Sequence, residues 1–161
     1  MTIDIGVAVL VVTFTAAMAV LGTVLAGDAL KTWFPTLVRP TFQMPLPLFV
    51  GVGIIGYVVG AIVLYRLLTV VDDPRGRIVS VAAMVVTMLY NELWNGALFR
   101  LRSPLAGFVL VVAFLAPLAI LEIALVLFEP VSALLIGVYA LWVIVYDVPW
   151  SYRLWRLNQD R

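Results

Sequence analysis

Long apolar runs, separated by short polar segments, dominate the chain. A helix that spans a bilayer needs about 20 mostly apolar residues. Five segments meet this requirement, at about 5–26, 46–68, 78–99, 104–128 and 131–154. They lack the alternation of apolar and polar positions that marks a transmembrane β-strand. Since backbone groups in lipid must be hydrogen-bonded within the chain, the pattern predicts an all-α integral membrane protein, a five-helix transmembrane bundle forming a single domain over residues 1–161.

The composition agrees with a membrane protein and limits the kinds of functional site that the chain can form. The chain is 65% hydrophobic and only 12% charged, whereas soluble domains carry about 25% charged residues. It contains neither His nor Cys, which excludes the usual zinc sites, thiolate nucleophiles, His-centred triads and disulfides. No group of acids has metal-ligand spacing, so we expect no metal site. The net charge of +1 lacks the strong excess of basic residues that is typical of a nucleic-acid-binding protein.

The basic residues of the loops predict an orientation. Seven lie in the first loop, the third loop and the C-terminal tail: Lys31, Arg39, Arg100, Arg102, Arg153, Arg156 and Arg161. Three belong to the other side: Arg66, Arg75 and Arg77. Because cytoplasmic loops are enriched in Lys and Arg, we expect a multi-pass protein of the cell (inner) membrane, with its N-terminus outside and its C-terminus in the cytoplasm. The first apolar run is too long for a cleaved signal and lacks a basic start, which indicates a retained helix.

The first loop, residues 27–45, is long, rich in aromatic and proline residues, and poor in charge. Such a loop can fold back as a lid over the mouth of a bundle. It can equally lie as an aromatic belt at the level of the lipid headgroups. Composition alone does not separate the two.

Polar and aromatic residues inside the apolar segments are the candidates for chemistry. Glu92, Glu122 and Asp147 lie at membrane depth, where a carboxyl group is costly and marks a candidate functional site. Each can instead be protonated or paired and only hold helices together. Aromatic faces with neighbouring amides suit a flat apolar ligand, but also suit packing between helices. These faces are formed by Tyr90, Asn91, Trp94 and Asn95, and by Tyr139, Trp142 and Tyr146.

Several short motifs, taken in order, resemble those of the TspO/MBR family of translocator and tryptophan-rich sensory proteins. The first loop carries WFPTLVRPTF from Trp33, similar to the family's W-Y-x-x-L-x-K-P-x-W. The third and fifth segments carry Asn91-x-x-Trp94 and Tyr139-x-x-Trp142, which look like the family's N-x-x-W and P-Y-L-x-W. Further positions that match are Pro45, Phe49, Tyr57, Phe99, Tyr152, Trp155, Arg156 and Asn158.

The resemblance implies a five-helix bundle, usually a homodimer, that acts as a receptor or sensor. Members bind porphyrins (protoporphyrin IX or haem-like tetrapyrroles), or cholesterol and other hydrophobic ligands, beneath the first loop. By matched position, the expected ligand-binding residues are Trp33, Pro40, Pro45, Phe49, Tyr57, Asn91, Trp94, Tyr139 and Trp142. A loose sterol-binding pattern is Val148, Tyr152 and Arg156. No cofactor is required, and a porphyrin would be a bound ligand.

Departures from the family pattern change what the resemblance implies. Gly53 stands where the family usually has a Trp, which should enlarge the pocket. Some bacterial members degrade porphyrin in light through pocket tryptophans, so Gly53 argues against this activity here. Without His or Cys, a porphyrin would be held mainly by stacking, with Arg39 or another loop cation meeting a propionate. Between Trp142 and the tail the chain is one residue longer, which a bulge near Pro149 would absorb.

Two other functions stay open on the sequence. The first is a membrane enzyme that acts on an isoprenoid or tetrapyrrole substrate, with Glu92, Glu122 or Asp147 as acid or base. The second is a small transporter or an accessory subunit. The absence of a detectable internal repeat weakens a transporter built from paired halves.

Overall fold

The structure, a computed structural model, describes residues 3–159 and, within them, five helices long and apolar enough to cross a membrane. They are α1 (Ile5–Ala26), α2 (Leu46–Thr69), α3 (Pro74–Arg100), α4 (Pro104–Phe128) and α5 (Pro130–Leu157). The described part of the chain contains no strand. The prediction of an all-α, five-helix membrane bundle is therefore confirmed.

Capping residues define where the helices begin. Asp4, Asp73, Ser103 and Glu129 each accept a hydrogen bond from the backbone N–H three residues later. Such N-caps satisfy donors that have no partner inside the helix. Helix α3 begins four residues before the predicted start at 78, because Pro74 occupies the first turn directly after the Asp73 cap. The first turn contains Arg75 and Arg77, so it does not belong to the apolar run from which the start of the helix was predicted.

Helices α3 and α5 are not regular throughout. The last turn of α3, Gly96–Arg100, and the middle of α5, Val143–Asp147, are π-helical. A π-helical turn accommodates an extra residue within a continuing helix. The turn in α5 ends two residues before Pro149. It lies close to the place where the chain is expected to be one residue longer than the family pattern.

The core of the bundle is apolar, and the outside of the bundle is apolar as well. Val63, Leu67, Leu121 and Leu125 are fully buried where α2 and α4 meet the other helices. Many Val, Ile and Leu side chains of all five helices point outward and are exposed. In water this surface would be an extended apolar patch. It fits the lipid-facing surface of a multi-pass membrane protein.

One ion pair joins the end of α2 to the turn between α4 and α5. Arg66 donates from Nε and Nη2 to the two carboxylate oxygens of Glu129, at 3.2 and 2.7 Å. Glu129 also accepts from the Ser132 amide at 2.6 Å and is 4% exposed. The Arg66 hydrogen bonds, assisted by Ser132, lower the pKa of the Glu129 carboxyl from 4.5 to about 2.

The first loop folds back onto the end of the bundle. It contains a one-turn helix, Ala29–Thr32, and a 3₁₀ turn, Phe34–Thr36. The Asn158 side chain at the end of α5 accepts from the Val38 amide and donates to the Val38 carbonyl, at 3.0 and 2.9 Å. Farther along, the Met44 amide donates to the Tyr146 hydroxyl at 3.0 Å. These bonds hold the loop against α5.

We predict that Glu129→Gln destabilises the bundle in a pH-dependent way. A carboxyl with a lowered pKa contributes its full stabilisation above about pH 4.5, and the contribution is lost as the pH falls toward about 2. At pH 7 the variant should unfold about 5 °C below the wild type in detergent, as loss of about 2 kcal/mol implies.

The difference between Glu129→Gln and wild type should shrink between pH 5 and pH 2.5 (roughly the range that the lowered pKa sets). Asp72→Asn, which removes an exposed carboxyl from the adjacent loop, serves as the control and should match wild type. A gap that stays constant with pH would show that the ion pair does not provide the stabilisation.

Candidate ligand cavity

A cavity of about 610 Å³ lies inside the bundle. Its walls come from α1, the first half of α2, α3, α4 and α5, and the start of the first loop lies at its edge. Ligand pockets typically measure 300–1,000 Å³, with apolar walls and a few placed polar groups. This cavity has that size and that character.

The structure brings most of the predicted pocket residues together around this cavity. The lining includes Phe49, Tyr57, Asn91, Trp94, Tyr139 and Trp142. Trp33, Pro40 and Pro45 do not line it. Trp33 packs instead with the buried loop cluster around Phe34. Six of the nine expected ligand-binding residues therefore line the cavity, and the other three lie outside its lining.

The three intramembrane acids do not meet at one place. Glu92 and Asp147 line the cavity, and Glu122 does not. Glu122 lies beside Gly137, where a Cβ would come within 3.3 Å of its Oε1, and its Oε2 has no hydrogen-bond partner among residues 3–159. Within the same residues no group of three potential metal ligands occurs. A shared site of three carboxyl groups is therefore excluded for this arrangement.

Glu92 is fully buried, at 0% exposure, and is the centre of a polar network. The Tyr57 hydroxyl donates to its Oε1 at 2.8 Å. Asn91 Nδ2 donates to the same oxygen at 3.2 Å, and Asn95 Nδ2 donates to Oε2 at 3.3 Å. Tyr139 joins by donating to Asn91 Oδ1 at 3.1 Å. The network connects α2, α3 and α5 through one carboxyl group.

Gly22 of α1 completes the enclosure of this carboxyl group. A Cβ built on Gly22 would overlap the Glu92 carboxylate and would come within 3.0 Å of the Tyr57 hydroxyl. Only glycine lets the α1 backbone approach so closely. The sequence contains no motif that marks this glycine, because its partner lies on a distant helix.

An aromatic cluster links the cavity wall to the loop. Trp94 lies 6.4 Å from Phe49, 6.0 Å from Phe99 and 6.2 Å from Trp150, between ring centroids. Trp150 is 1% exposed and also contacts Phe34 of the loop. The indole N–H groups of Trp94 and Trp150 are buried without a partner among the described residues. Trp150 belongs to no motif of the family resemblance, although its place beside Pro149 in an amphipathic last helical segment is a usable signal.

A second aromatic pair lies on α5. Trp142 and Tyr146 stack at 4.6 Å with their rings inclined by 25°. Phe42 of the loop meets Tyr146 edge-on at 6.1 Å. Asp147 lies next to this pair and interacts with the Trp142 side chain. The Trp142–Tyr146 stack therefore lies between the first loop and Asp147, the other acid that lines the cavity besides Glu92.

The mouth of the cavity lies between α1, α2 and the loop. Several residues at the mouth both line the cavity and are exposed. They include Lys31, Val50, Gly53 and Ile54. A Cβ on Gly53 would meet nothing within 4 Å, so this position is open. Arg39, expected to meet an anionic ligand group, instead lies 5.7 Å above the Phe34 ring. Lys31 is the basic residue that lines the cavity.

The residues of the sterol pattern lie away from the cavity. Val148, Tyr152 and Arg156 follow one another at four-residue spacing along the end of α5, and the last two are exposed. Tyr152 packs against Phe108 at 5.5 Å. A ligand held by these three residues would bind on the outer surface.

We predict that Gly22→Ala disturbs the Glu92 network. The added methyl overlaps the carboxylate, so the variant should lose about 1–3 kcal/mol of stability. Gly51→Ala is the matched control, since its Cβ would meet nothing within 4 Å and helix propensity favours alanine. Thermal unfolding of both variants in the same detergent measures the contrast.

A double-mutant cycle locates the cause of that loss. If the clash is with the carboxylate, Gly22→Ala should cost less in a Glu92→Ala background than in wild type. Equal costs in the two backgrounds would place the strain elsewhere.

Comparison with known families covers the whole site. A family model described as TspO/MBR family matches residues 9–155. All residues that line the cavity fall inside this range. Comparison with curated proteins gives no match.

Proposed function

Because this chain belongs to the TspO/MBR family, we propose that it binds a flat, largely apolar ligand in the cavity of the bundle. The proposed ligands are a porphyrin, such as protoporphyrin IX or a haem-like tetrapyrrole, or a sterol. The observation that carries the proposal is the aromatic-walled cavity of about 610 Å³, which contains six residues expected from the family pattern. The coarser assignment, a multi-pass membrane protein of this family, follows from the family match and the five helices.

Stacking and burial supply the binding energy in this proposal. Trp94 on α3 and Trp142 on α5 both line the cavity. Large aromatic side chains contribute most of the contact area of such sites and favour offset-stacked or edge-on contacts. With no His or Cys in the sequence, a haem-like ligand gains no strong axial bond, so the flat face of the macrocycle matters more than its metal.

Lys31 orients an anionic ligand. It is a basic residue of the cavity lining and lies at the mouth, while Glu92 on α3 and Asp147 on α5 belong to the same lining. A charge-assisted contact between an ammonium and a carboxylate is favourable, and two carboxylates repel. A porphyrin would therefore bind with its propionates toward Lys31 and its apolar edge inward.

The position of the mouth favours entry from the lipid. Val50 and Ile54 of α2 are exposed on the outside of the bundle and also line the cavity. Gly53 lies between them and leaves a gap without a side chain. A hydrophobic ligand dissolved in the bilayer would reach the cavity through this gap.

An enzyme that uses intramembrane carboxyl groups is the second candidate. Glu92 and Asp147 share the cavity, which favours it. Glu122 lies outside the cavity and has no place in such a mechanism. We favour binding over catalysis because the bonds around Glu92 hold it as an acceptor rather than present it to a substrate. Transport or an accessory role has no specific feature in its favour.

We predict that protoporphyrin IX quenches the Trp fluorescence of the purified protein in a saturable way. Trp94→Ala and Trp142→Ala should each weaken binding about tenfold, the scale of one lost stacking contact of about 1.4 kcal/mol.

Trp155→Ala is the control for the porphyrin titration. Trp155 stacks on Phe108 outside the cavity, so its removal should leave the affinity within about twofold of wild type (less than about 0.5 kcal/mol). Absence of quenching by protoporphyrin IX and by other tetrapyrroles would reject porphyrin as the ligand class.

We also propose that the loop end of the bundle faces the cytoplasm of a cell membrane. The chain has no Cys, so single cysteines report their side without background. Asp72→Cys, in the exposed second loop, should react with a membrane-impermeant maleimide in intact cells. Thr41→Cys, in the exposed first loop, should react only after permeabilisation. The reverse pattern would invert the orientation.

A further inference from the structure

We infer that Asn95 determines which ligands the cavity prefers, and that it selects flat apolar molecules with a neutral hydrogen-bond donor, an O–H or N–H group, at their edge. This donor binds Asn95 Oδ1. The inference rests on the proposed function because it uses the same cavity. It goes further by assigning the polar group of the ligand and the atom that recognises it. The motifs of the resemblance do not include Asn95, so the assignment comes from the geometry of this chain.

The Asn95 side-chain oxygen is an acceptor that a ligand can reach. Asn95 lines the cavity and is partly exposed. Its Nδ2 donates to Glu92 Oε2 at 3.3 Å, while its Oδ1 accepts no hydrogen bond from residues 3–159. The indole N–H of Trp94 also lacks a partner there but is sealed inside the protein, whereas Asn95 Oδ1 is not fully enclosed. A donor in the cavity can therefore approach this oxygen.

The other polar side chains that α3 contributes to the cavity are already engaged. Glu92 is fully buried behind its donors, so a ligand does not touch it. Asn91, one turn before Asn95, donates through Nδ2 to Glu92 Oε1 and accepts through Oδ1 from the Tyr139 hydroxyl. The Thr87 hydroxyl donates to a backbone carbonyl of its own helix at 2.8 Å. Among the α3 residues of the lining, Asn95 Oδ1 is the side-chain oxygen that remains for a ligand.

The direction of the Asn95 amide sets the kind of group that it binds. The amide oxygen and nitrogen lie on opposite sides of one carbon, so the bond from Nδ2 to Glu92 turns Oδ1 away from that carboxyl group. An amide oxygen only accepts hydrogen bonds, so it favours an O–H or N–H group over an ether or carbonyl oxygen. Because an unpaired acceptor among mostly apolar walls is costly, a donor on the ligand stabilises the complex.

The Asn95 amide is held in place before a ligand arrives. Glu92 holds its nitrogen, and Glu92 is itself held by Tyr57 and enclosed by the α1 backbone at Gly22. An acceptor that is already oriented loses little entropy when it binds, which favours selectivity. Because Trp94 lines the same cavity, the flat face of a ligand and its donor have separate partners on α3.

Asp147 is the alternative partner for a ligand donor, since it is another acceptor in the cavity lining. Its carboxyl group interacts with the Trp142 side chain, whereas Asn95 Oδ1 has no partner among the described residues. This difference favours Asn95, and the experiment compares the two residues directly.

The test uses two pairs of uncharged pyrene probes that are matched in size: 1-pyrenemethanol with 1-ethylpyrene, and 1-(methoxymethyl)pyrene with 1-propylpyrene. The full chain is placed in phosphatidylcholine nanodiscs at pH 7. Energy transfer from Trp to pyrene reports binding, and displacement by excess 1-naphthalenemethanol separates the cavity from the lipid. Each affinity is corrected for the partition of the probe into empty nanodiscs.

We expect the alcohol to bind at least about fivefold more tightly than 1-ethylpyrene, which corresponds to about 1 kcal/mol and is the usual scale of one neutral hydrogen bond. The ether accepts but does not donate, so it should bind within about twofold of 1-propylpyrene (less than about 0.5 kcal/mol).

Asn95→Leu keeps the approximate size of the side chain and removes the acceptor. It should bring the alcohol and 1-ethylpyrene to within about twofold of each other (less than about 0.5 kcal/mol). Thr87→Val is the matched control, because it removes an engaged polar group from the same wall of the cavity, and should keep the alcohol preference. Asp147→Leu should keep it as well. The two probe pairs on wild type and on Asp147→Leu test the inference even where Asn95→Leu fails to fold.

Three results overturn the inference: an ether preference in wild type as large as the alcohol preference, an alcohol preference that persists in Asn95→Leu, and one that is lost in Asp147→Leu. The outcomes also separate the inference from the proposed function. Saturable protoporphyrin binding without an alcohol preference among the pyrene probes overturns the inference alone. An alcohol preference without protoporphyrin binding supports the inference and rejects the porphyrin assignment. No saturable binding of protoporphyrin or of any pyrene probe rejects both.

Discussion

The cavity depends on the hydrogen bonds that meet at Glu92. In lipid, a polar group must find its partners within the protein, and the Glu92 carboxyl takes donors from Tyr57 on α2 and from two amides of α3. Tyr139 extends the network to α5, and Gly22 lets α1 close over it. Four helices are therefore held around one group, and the space beside that group remains as the cavity.

Much of the fold is encoded in features that act locally. The apolar runs fix the number of helices, and their ends follow from Asp73, Ser103 and the prolines after them, because a cap and a fixed φ act within one turn. The aromatic residues of α3 and α5 could be grouped into faces, since i, i+3 and i+4 positions share a face, and the family resemblance implied that Trp94, Tyr139 and Trp142 line a pocket. Both kinds of feature need no knowledge of the neighbouring helices.

The rotation of each helix within the bundle was beyond the sequence. A helix that is apolar on all sides gives no periodic signal of which side faces the protein. Glu92 and Glu122 therefore look equivalent in the sequence, although the structure places one in the cavity and the other outside it. The same limit applies to Lys31 and Arg39, because a loop rich in proline has no period from which its side chains can be oriented.

The π-helical turn at Val143–Asp147 divides α5 into two parts with separate registers. Each helical residue turns the following side chains by about 100°, and the wider π-helical turn absorbs one additional residue without rotating the part of the helix that follows it. Before the turn, α5 faces the cavity with Tyr139 and Trp142. After it, Trp150 and Asn158 face the loop. Evolution can thus change the cavity-facing half of the helix while the half that anchors the loop keeps its alignment.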